Sequence, residues 1–326
     1  MKEIIDLILN NLKQAEAGDD FALLGKKYTP ILISESNFRP ISEISSDKTI
    51  TFYDGGNLSL IEAPNLSLHF MRLASATYKN NKKIKANRKE FYCLVSSKKE
   101  KYHVQTIPEQ NGLDLEIDFH HKDLMLGLNK VEIKLIPGLI RRLAEINFVK
   151  SNVGNSDYHV MDGTLESNSL IEDKCLQELI ATIKKEKKEL LGVSKTNTIT
   201  TNNGNSLSTL LASLNHDVWQ YFPLVKQTDL AISMMRLHKK SEHVFRLDSV
   251  SENVEEVLWL LKENAQDPVF LGYPYGLIQA DRVTRVAKKE AEYLKTSLMV
   301  RFGKDWQRIK PYVSALNAHE ILDSIS

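Results

Sequence analysis

Four segments rich in β-branched and aromatic residues crowd the stretch from Thr49 to Ile107, with no helical periodicity between them. Thr49–Tyr53 reads as a short buried strand ended by Asp54-Gly55-Gly56. Residues 66–78, 90–96 and 101–107 have strand-like spacing and predict an antiparallel meander after it. Leu113–Phe119 alternates apolar and acidic residues, which suits an exposed edge strand. From Pro137 the period changes, and Leu139, Leu143 and Ile146 recur at helical spacing through Lys150. Asp157–Met161 then reads as a strand stopped by Asp162-Gly163, Ile171–Leu190 as a charged helix and Leu191–Ser194 as a strand. Val244–Leu247 and Val254–Asn264 add a further strand and helix. A meander followed by helix–strand alternation means an α/β or α+β fold around one mixed sheet flanked by helices.

The flanks read differently. Residues 2–17 predict an amphipathic helix, with Ile4, Ile5, Ile8, Leu9 and Leu12 on one side and Gly18 as its stop. A polar connection to about Asp47 completes an N-terminal helical arm, residues 1–47, ahead of a main domain at 48–326. Within that domain Thr196–Ser206 is a Thr/Asn-rich loop, and residues 207–240 read as helical, which makes about 197–240 a helical insertion. Tyr273-Pro274 leads through Gly276 into one long helix ending near Leu294.

Glu3 and Asp6 stand where a signal peptide needs a basic region, and no run reaches the roughly 18 apolar residues of a spanning helix. Cys93 and Cys175 form no C-x-x-C pair, so neither a disulfide scaffold nor a thiolate zinc site is expected. A soluble cytoplasmic protein with no membrane partner is the reading. Its 43 Lys and Arg against 42 Asp and Glu give +1, but the charge is not spread evenly. Residues 71–101 hold ten basic residues and two acids, so the rest of the chain carries −7. Lys79, Lys82, Lys83, Lys85, Arg88 and Lys89 are the densest part, interleaved with Tyr78, Phe91 and Tyr92. On a hairpin they would track a phosphate backbone; a solvated hairpin tip is the plainer alternative. Lys184–Glu189, of mixed sign, is a solvent-facing helix surface.

The chain has no G-x-x-x-x-G-K-[ST], G-x-G-x-x-G, H-E-x-x-H or G-x-S-x-G, and neither Gly25-Lys26 nor Gly303-Lys304 has the upstream glycine of a phosphate loop. What it repeats is a strand followed by Asp-Gly, at Asp54 and at Asp162. Two such strands side by side bring both carboxylates to one end of the sheet. With a third acid they form an oxygen-donor set for Mg²⁺ or Mn²⁺, and two such ions serve phosphodiester cleavage. Asp-Gly is also an ordinary turn dipeptide, and that reading stands beside the first.

Longer segments carry a family likeness. Phe270–Val286, with LGYPYGLIQADRVTRV at its core, resembles the C-terminal signature of the NurA nuclease family. FYDGGN (Phe52–Asn57), RRLAEINFV (Arg141–Val149), VMDGTLE (Val160–Glu166) and VSKT (Val193–Thr196) are similar to its other blocks, in order and rough spacing. NAHEILD (Asn317–Asp323) is similar to its tail. The resemblance covers most of the chain from about residue 48, with 79–135 and 197–240 poorly matched. It implies an RNase H-like fold, a homodimer, and a Mn²⁺-dependent deoxyribonuclease with two ions, Mg²⁺ being the alternative. It further implies a 5′ to 3′ exonuclease with single-strand endonuclease activity, working on DNA ends in resection and repair beside a HerA-type hexameric ATPase. The residues themselves fix neither polarity nor strand preference.

Carried across, Asp54 is the acid of the first strand, Asp162 that of the fourth, and Glu145 on the intervening helix the third ligand. Taken alone, Glu145 is as well read as an ion-pair partner of Arg141 and Arg142. Asp281 stands where the family pattern has His; an Asp from the last helix suits RNase H-like sites, and pairing with Arg285 at i+4 is its other reading. Gly56 replaces a frequent Ser at a position that is not a ligand. Lys195 is placed to contact the scissile phosphate or orient water, or is an exposed strand-end lysine. Tyr273 is placed to stack on a base or position a phosphate, or packs against the helix start. His120, His121, His216 and His319 lack metal-ligand spacing, and Glu62 and Glu166 are spare carboxylates. Two rival functions remain in view. One is a non-catalytic DNA-binding adaptor of a ring translocase. The other is an actin-like phosphotransferase, against which the 14 glycines with no phosphate loop count.

Overall fold

Phe52 and Tyr53 are neighbours, both buried, yet they belong to different hydrophobic clusters. Successive side chains of a strand point to opposite faces, so the sheet that carries them is covered on both sides. A computed structural model describes residues 1–13, 20–25, 28–110, 112–126, 129–227, 229–251 and 253–314. Gly18, His319 and the NAHEILD block lie outside them.

The sheet has eleven strands. They are β1 (Phe38–Pro40), β2 (Thr49–Ala63), β3 (Leu66–Lys79), β4 (Lys82–Lys98), β5 (Lys101–Ile107), β6 (Leu115–Asp118), β7 (Tyr158–Asp162), β8 (Glu189–Ser194), β9 (Trp219–Lys226), β10 (Ala231–Arg236) and β11 (Phe245–Ser249). Their order is β1-β9-β10-β11-β8-β7-β2-β3-β4-β5-β6. Strand β7 runs parallel to β2 and to β8; the other pairs are antiparallel. The central order, with a three-strand meander joined by two parallel strands on the side of its first strand, is the RNase H-like layout.

After the N-terminal helix α1 (Lys2–Lys13), helices α2 (Ile136–Lys150) and α3 (Leu170–Lys185) cover one face, where Ile140, Leu143, Ile146 and Leu179 pack with Tyr53, Met71, Phe91 and Met161. Helices α5 (Glu255–Asn264) and α6 (Tyr275–Thr284) cover the other, where Leu258, Leu261 and Leu277 meet Phe52, Val160, Val193 and Leu247. A third cluster, around Trp219, Tyr221 and Met234, is closed by α4 (Leu207–Leu214) and a small sheet of Phe21–Leu23, Ile31–Leu32 and Thr200–Thr201. Among the described residues no helix is long and apolar enough to cross a membrane.

Several expectations change. Residues 207–240 are not a helical insertion. Among the described residues only Leu207–Leu214 is helical there, and Trp219–Lys226 and Ala231–Arg236 form β9 and β10, which extend the main sheet. Among the described residues of the N-terminal arm, the α-helix covers Lys2–Lys13, and β1 joins the main sheet through β9. Asp54-Gly55-Gly56 does not end its strand: β2 continues to Ala63 because β3 pairs with it throughout. The long C-terminal helix is two, α6 and α7 (Lys288–Phe302), separated by an extended turn at Arg285.

Candidate metal centre

Parallel pairing sets Tyr53 of β2 opposite Met161 of β7, so the next residue on each strand is an aspartate, Asp54 and Asp162. Gly163, at φ 98°, turns the chain out of β7 in a conformation side chains rarely adopt. Gly55 and Gly56 serve otherwise, by lacking side chains where helices close on the strand. A β-carbon on Gly55 would lie 2.5 Å from Glu145 Oε1 of α2, and one on Gly56 2.6 Å from the Thr284 carbonyl of α6. The two glycines therefore let helices from both faces reach the strand beside Asp54.

Helix α6 supplies the third acid. One carboxylate oxygen each of Asp54, Asp162 and Asp281 can be chosen so that all three lie within 4.8 Å of one another. Thr284, one turn after Asp281, donates through Oγ1 to Asp54 Oδ2 at 2.8 Å. Lys195, just past the end of β8, sets Nζ 2.6 Å from Asp162 Oδ2 and 3.1 Å from Asp281 Oδ1. Arg285 Nε reaches Asp281 Oδ2 at 2.7 Å, so the i+4 pair read from the sequence forms as well. Burial, then the neighbouring Asp162, raises the Asp54 carboxyl above the usual range, with the Thr284 bond opposing. For Lys195, burial lowers and the two aspartates raise; the aspartates win, and the ammonium is held charged. Hard oxygen donors converging from β2, β7 and α6, already crowding like charge, fit a divalent cation of the Mg²⁺ or Mn²⁺ type.

Glu145 approaches from the opposite face and stands apart from this triad. It is buried, with Oε1 on Arg141 and Oε2 3.4 Å from Arg142. Burial pushes its carboxyl up to about 7, against the pull of the two arginines. Both readings of Glu145 thus have a footing: it is ion-paired, and it lines the same cleft of about 600 Å³ as Asp54, Asp162 and Glu172. Arg141 also donates to the Gly55 carbonyl at 2.8 Å, and Arg142 to Glu172 at 3.0 Å and to the Thr164 carbonyl at 2.6 Å.

Tyr273 requires a correction. Its ring is 1% exposed, packed against Phe245 and Phe270, and its hydroxyl donates to Asp162 Oδ1 at 3.2 Å. A ring so enclosed cannot stack on a base; it orients Asp162 instead. Glu166 takes a structural place, accepting from Tyr28 Oη at 2.7 Å and pairing with Arg246. Thr284 escaped the sequence reading, and Arg141 entered it only as an ion-pair partner of Glu145, not as a donor to the Gly55 carbonyl. The only signal for Thr284 was its i+3 spacing from Asp281.

The basic strip is where the hairpin expectation put it. Asn80-Asn81 turns β3 into β4, and Lys79, Lys82, Lys83, Lys85, Arg88 and Lys89 are all exposed. Asp54 pairs with Ala74 and Ala74 with Arg88, so Arg88 lies two strands from Asp54, roughly 10 Å across the sheet. The strip runs from that level to the hairpin tip.

Known proteins match this chain at both levels. The sequence profile described as the NurA domain matches residues 48–286. A search of curated proteins finds no match. Among solved structures, the NurA nuclease from Sulfolobus solfataricus superposes with a TM-score of 0.57 at 14% identity, covering 93% of this chain and 95% of that one. Endonuclease V from Ciona intestinalis, solved with a DNA containing inosine, gives a TM-score of 0.41 at 9% identity, covering 90% of this chain and 100% of that one. Human endonuclease V gives 0.37 at 11% identity, covering 77% and 86%.

Proposed function

The chain belongs to the NurA family, and from that premise we propose that it is a divalent-metal-dependent deoxyribonuclease. The observation that carries the reading is the convergence of Asp54, Asp162 and Asp281 from three separate elements. These three would hold the metal, two Mn²⁺ ions in the form favoured here, with Mg²⁺ as the substitute. Glu145, which lines one cleft with Asp54 and Asp162, would be the further carboxylate ligand. When bound, such ions supply Lewis acidity toward water and toward the phosphodiester.

The chain's own groups do the rest. Thr284 and Tyr273 each direct a hydrogen bond at one aspartate, Asp54 and Asp162, and so fix which carboxylate oxygens face the substrate. Lys195 keeps its charge at the rim, where it neutralises part of the aspartate cluster and is placed to contact the phosphate being cleaved. Arg141 and Arg142 hold Glu145 in place and offset its charge. The exposed lysines of the β3–β4 hairpin, with Arg88 and Lys89 nearest the centre, draw in the phosphate backbone.

In its finer form the proposal is a 5′ to 3′ exonuclease with single-strand endonuclease activity. It would act as a cytoplasmic homodimer on DNA ends during resection and repair, beside a HerA-type hexameric ATPase. Family membership supports these points. The direct test is Asp162→Asn. It should abolish Mn²⁺-dependent degradation of end-labelled linear DNA while leaving the fold intact. Undiminished cleavage by a folded variant would overturn the assignment of Asp162, whereas a wild type that binds DNA and leaves it uncut would favour a DNA-gripping adaptor.

A further inference from the structure

Arg72 is a charged residue buried in the middle of β3, 4% exposed, with no part in the carboxylate cluster. It pairs with Gly56 on one side and Glu90 on the other. Gly56 is bare, and the Thr284 carbonyl closes on it from α6. The Arg72 guanidinium therefore finds itself beneath the end of that helix, and each of its three nitrogens is bonded. Nε donates to Glu90 at 2.7 Å. Nη1 reaches the carbonyls of Val283 at 3.4 Å and Arg285 at 3.5 Å, and Glu290 Oε2 at 3.3 Å. Nη2 is bonded to Glu290 Oε1, in the first turn of α7. A cation at a helix C-terminus takes up carbonyls left without an intrahelical partner and complements the negative end of the helix dipole.

The same helix end carries the centre. Asp281 and Thr284 both lie in the last turn of α6, and Thr284 bonds Asp54 across the gap between helix and sheet. We infer that Arg72 is a positioning residue for the metal centre. By clamping the α6–α7 corner to β3 and β4, it holds Asp281 and Thr284 at the distance from Asp54 that a shared cation requires. It touches neither metal nor DNA and acts through the helix end. The inference rests on the reading of the site as a metal centre.

Isothermal titration calorimetry with Mn²⁺, on the full chain, tests it without reference to turnover. Arg72→Met should bind Mn²⁺ about tenfold more weakly, the usual scale for outer-shell partners of a metal site. Glu290→Ala should weaken binding in the same direction, and the double variant should bind no worse than Arg72→Met alone, since both remove one clamp. Unchanged Mn²⁺ affinity in both single variants, with only their melting temperatures lowered, overturns the inference and leaves Arg72 a structural ion pair. If Arg72→Met does not fold, Glu290→Ala decides, because that side chain is 39% exposed; full affinity there overturns the inference. Asp54→Asn separates the two layers. Should wild type and Asp54→Asn bind Mn²⁺ equally, the metal centre itself is misassigned and the role of Arg72 falls with it.

Discussion

The α-carbon of Gly55 lies directly against the carboxylate of Glu145, with room for no β-carbon: one built there would sit 2.5 Å from Oε1 and 2.7 Å from Cγ. Because Arg141 and Arg142 hold that carboxylate and the side chain is buried, it has little freedom to retreat. The strand and the α2 helix are thus fitted to each other at a single glycine, one residue from Asp54.

Gly55→Ala is therefore expected to destabilise the fold by about 1–3 kcal/mol, the usual cost of overpacking. Urea unfolding of the two proteins measures it. The variant should also lose nuclease rate, since the neighbouring Asp54 shifts with its strand. Wild-type stability in Gly55→Ala would show that Glu145 swings aside freely and is not locked by its arginines.

Lys195 bridges Asp162 and Asp281, so removing it has two consequences of opposite sign. The carboxylates lose a competing cation, while the phosphate loses a positive charge at the rim. Lys195→Met should lower the saturated rate on linear DNA by roughly 100-fold, the scale of one electrostatic stabiliser in an active site. The Mn²⁺ concentration giving half-maximal rate should not rise. Initial rates over a Mn²⁺ titration show both. A raised half-point with a full plateau would make Lys195 a metal-site scaffold with no part in turnover.

How much of this was legible beforehand depended on whether the signal was local. Asp54 and Asp162 announced themselves because each follows an apolar strand and precedes glycine. The meander and the helices α2, α3 and α5 followed from periodicity. The strand at Trp219–Lys226 did not, because Pro223 interrupts it and its neighbours are buried without alternation. Tertiary contact decided the remaining cases. The β3 strand carries β2 through Gly55 and Gly56, overriding the turn signal of Asp-Gly-Gly. The break between α6 and α7 has no Pro or Gly to mark it; Arg72, more than 200 positions upstream, takes the carbonyls on both sides. Tyr273 looked available for DNA because its burial depends on Phe245 and Phe270, which meet it only in the fold.

The hairpin lysines give a prediction in salt. Lys82, Lys83 and Lys85 are exposed on β4, and each phosphate neutralised contributes about 0.9 to the slope of log affinity against log salt for duplex DNA. Replacing all three by Ala should lower that slope by roughly 2–3. Fluorescence anisotropy with labelled duplex over a KCl series reads it directly. An unchanged slope returns the strip to a solvated hairpin tip.

His159 gives a prediction in pH that does not involve the metal centre. It is fully buried in β7, where Nδ1 accepts from the Tyr53 hydroxyl at 3.0 Å and Nε2–H donates to the Val153 carbonyl at 3.1 Å. That pairing suits the neutral ring. Burial, opposed by the carbonyls of Val153 and Ser156, pushes its pKa down to about 4 from 6.5. Between those values the unfolded chain binds the proton and the folded chain does not. The stabilisation is complete above about pH 6.5 and is lost as pH falls toward 4. At 1.36 kcal/mol per pKa unit the loss is roughly 3 kcal/mol. His159→Phe should cost about 1–3 kcal/mol at neutral pH through the unpartnered Tyr53 hydroxyl. It should also be free of this part of the acid sensitivity. Urea unfolding at pH 7 and pH 4.5 compares them: the gap between wild type and variant should narrow or reverse at the lower pH, and a constant gap would mean that His159 titrates alike in the folded and unfolded chain.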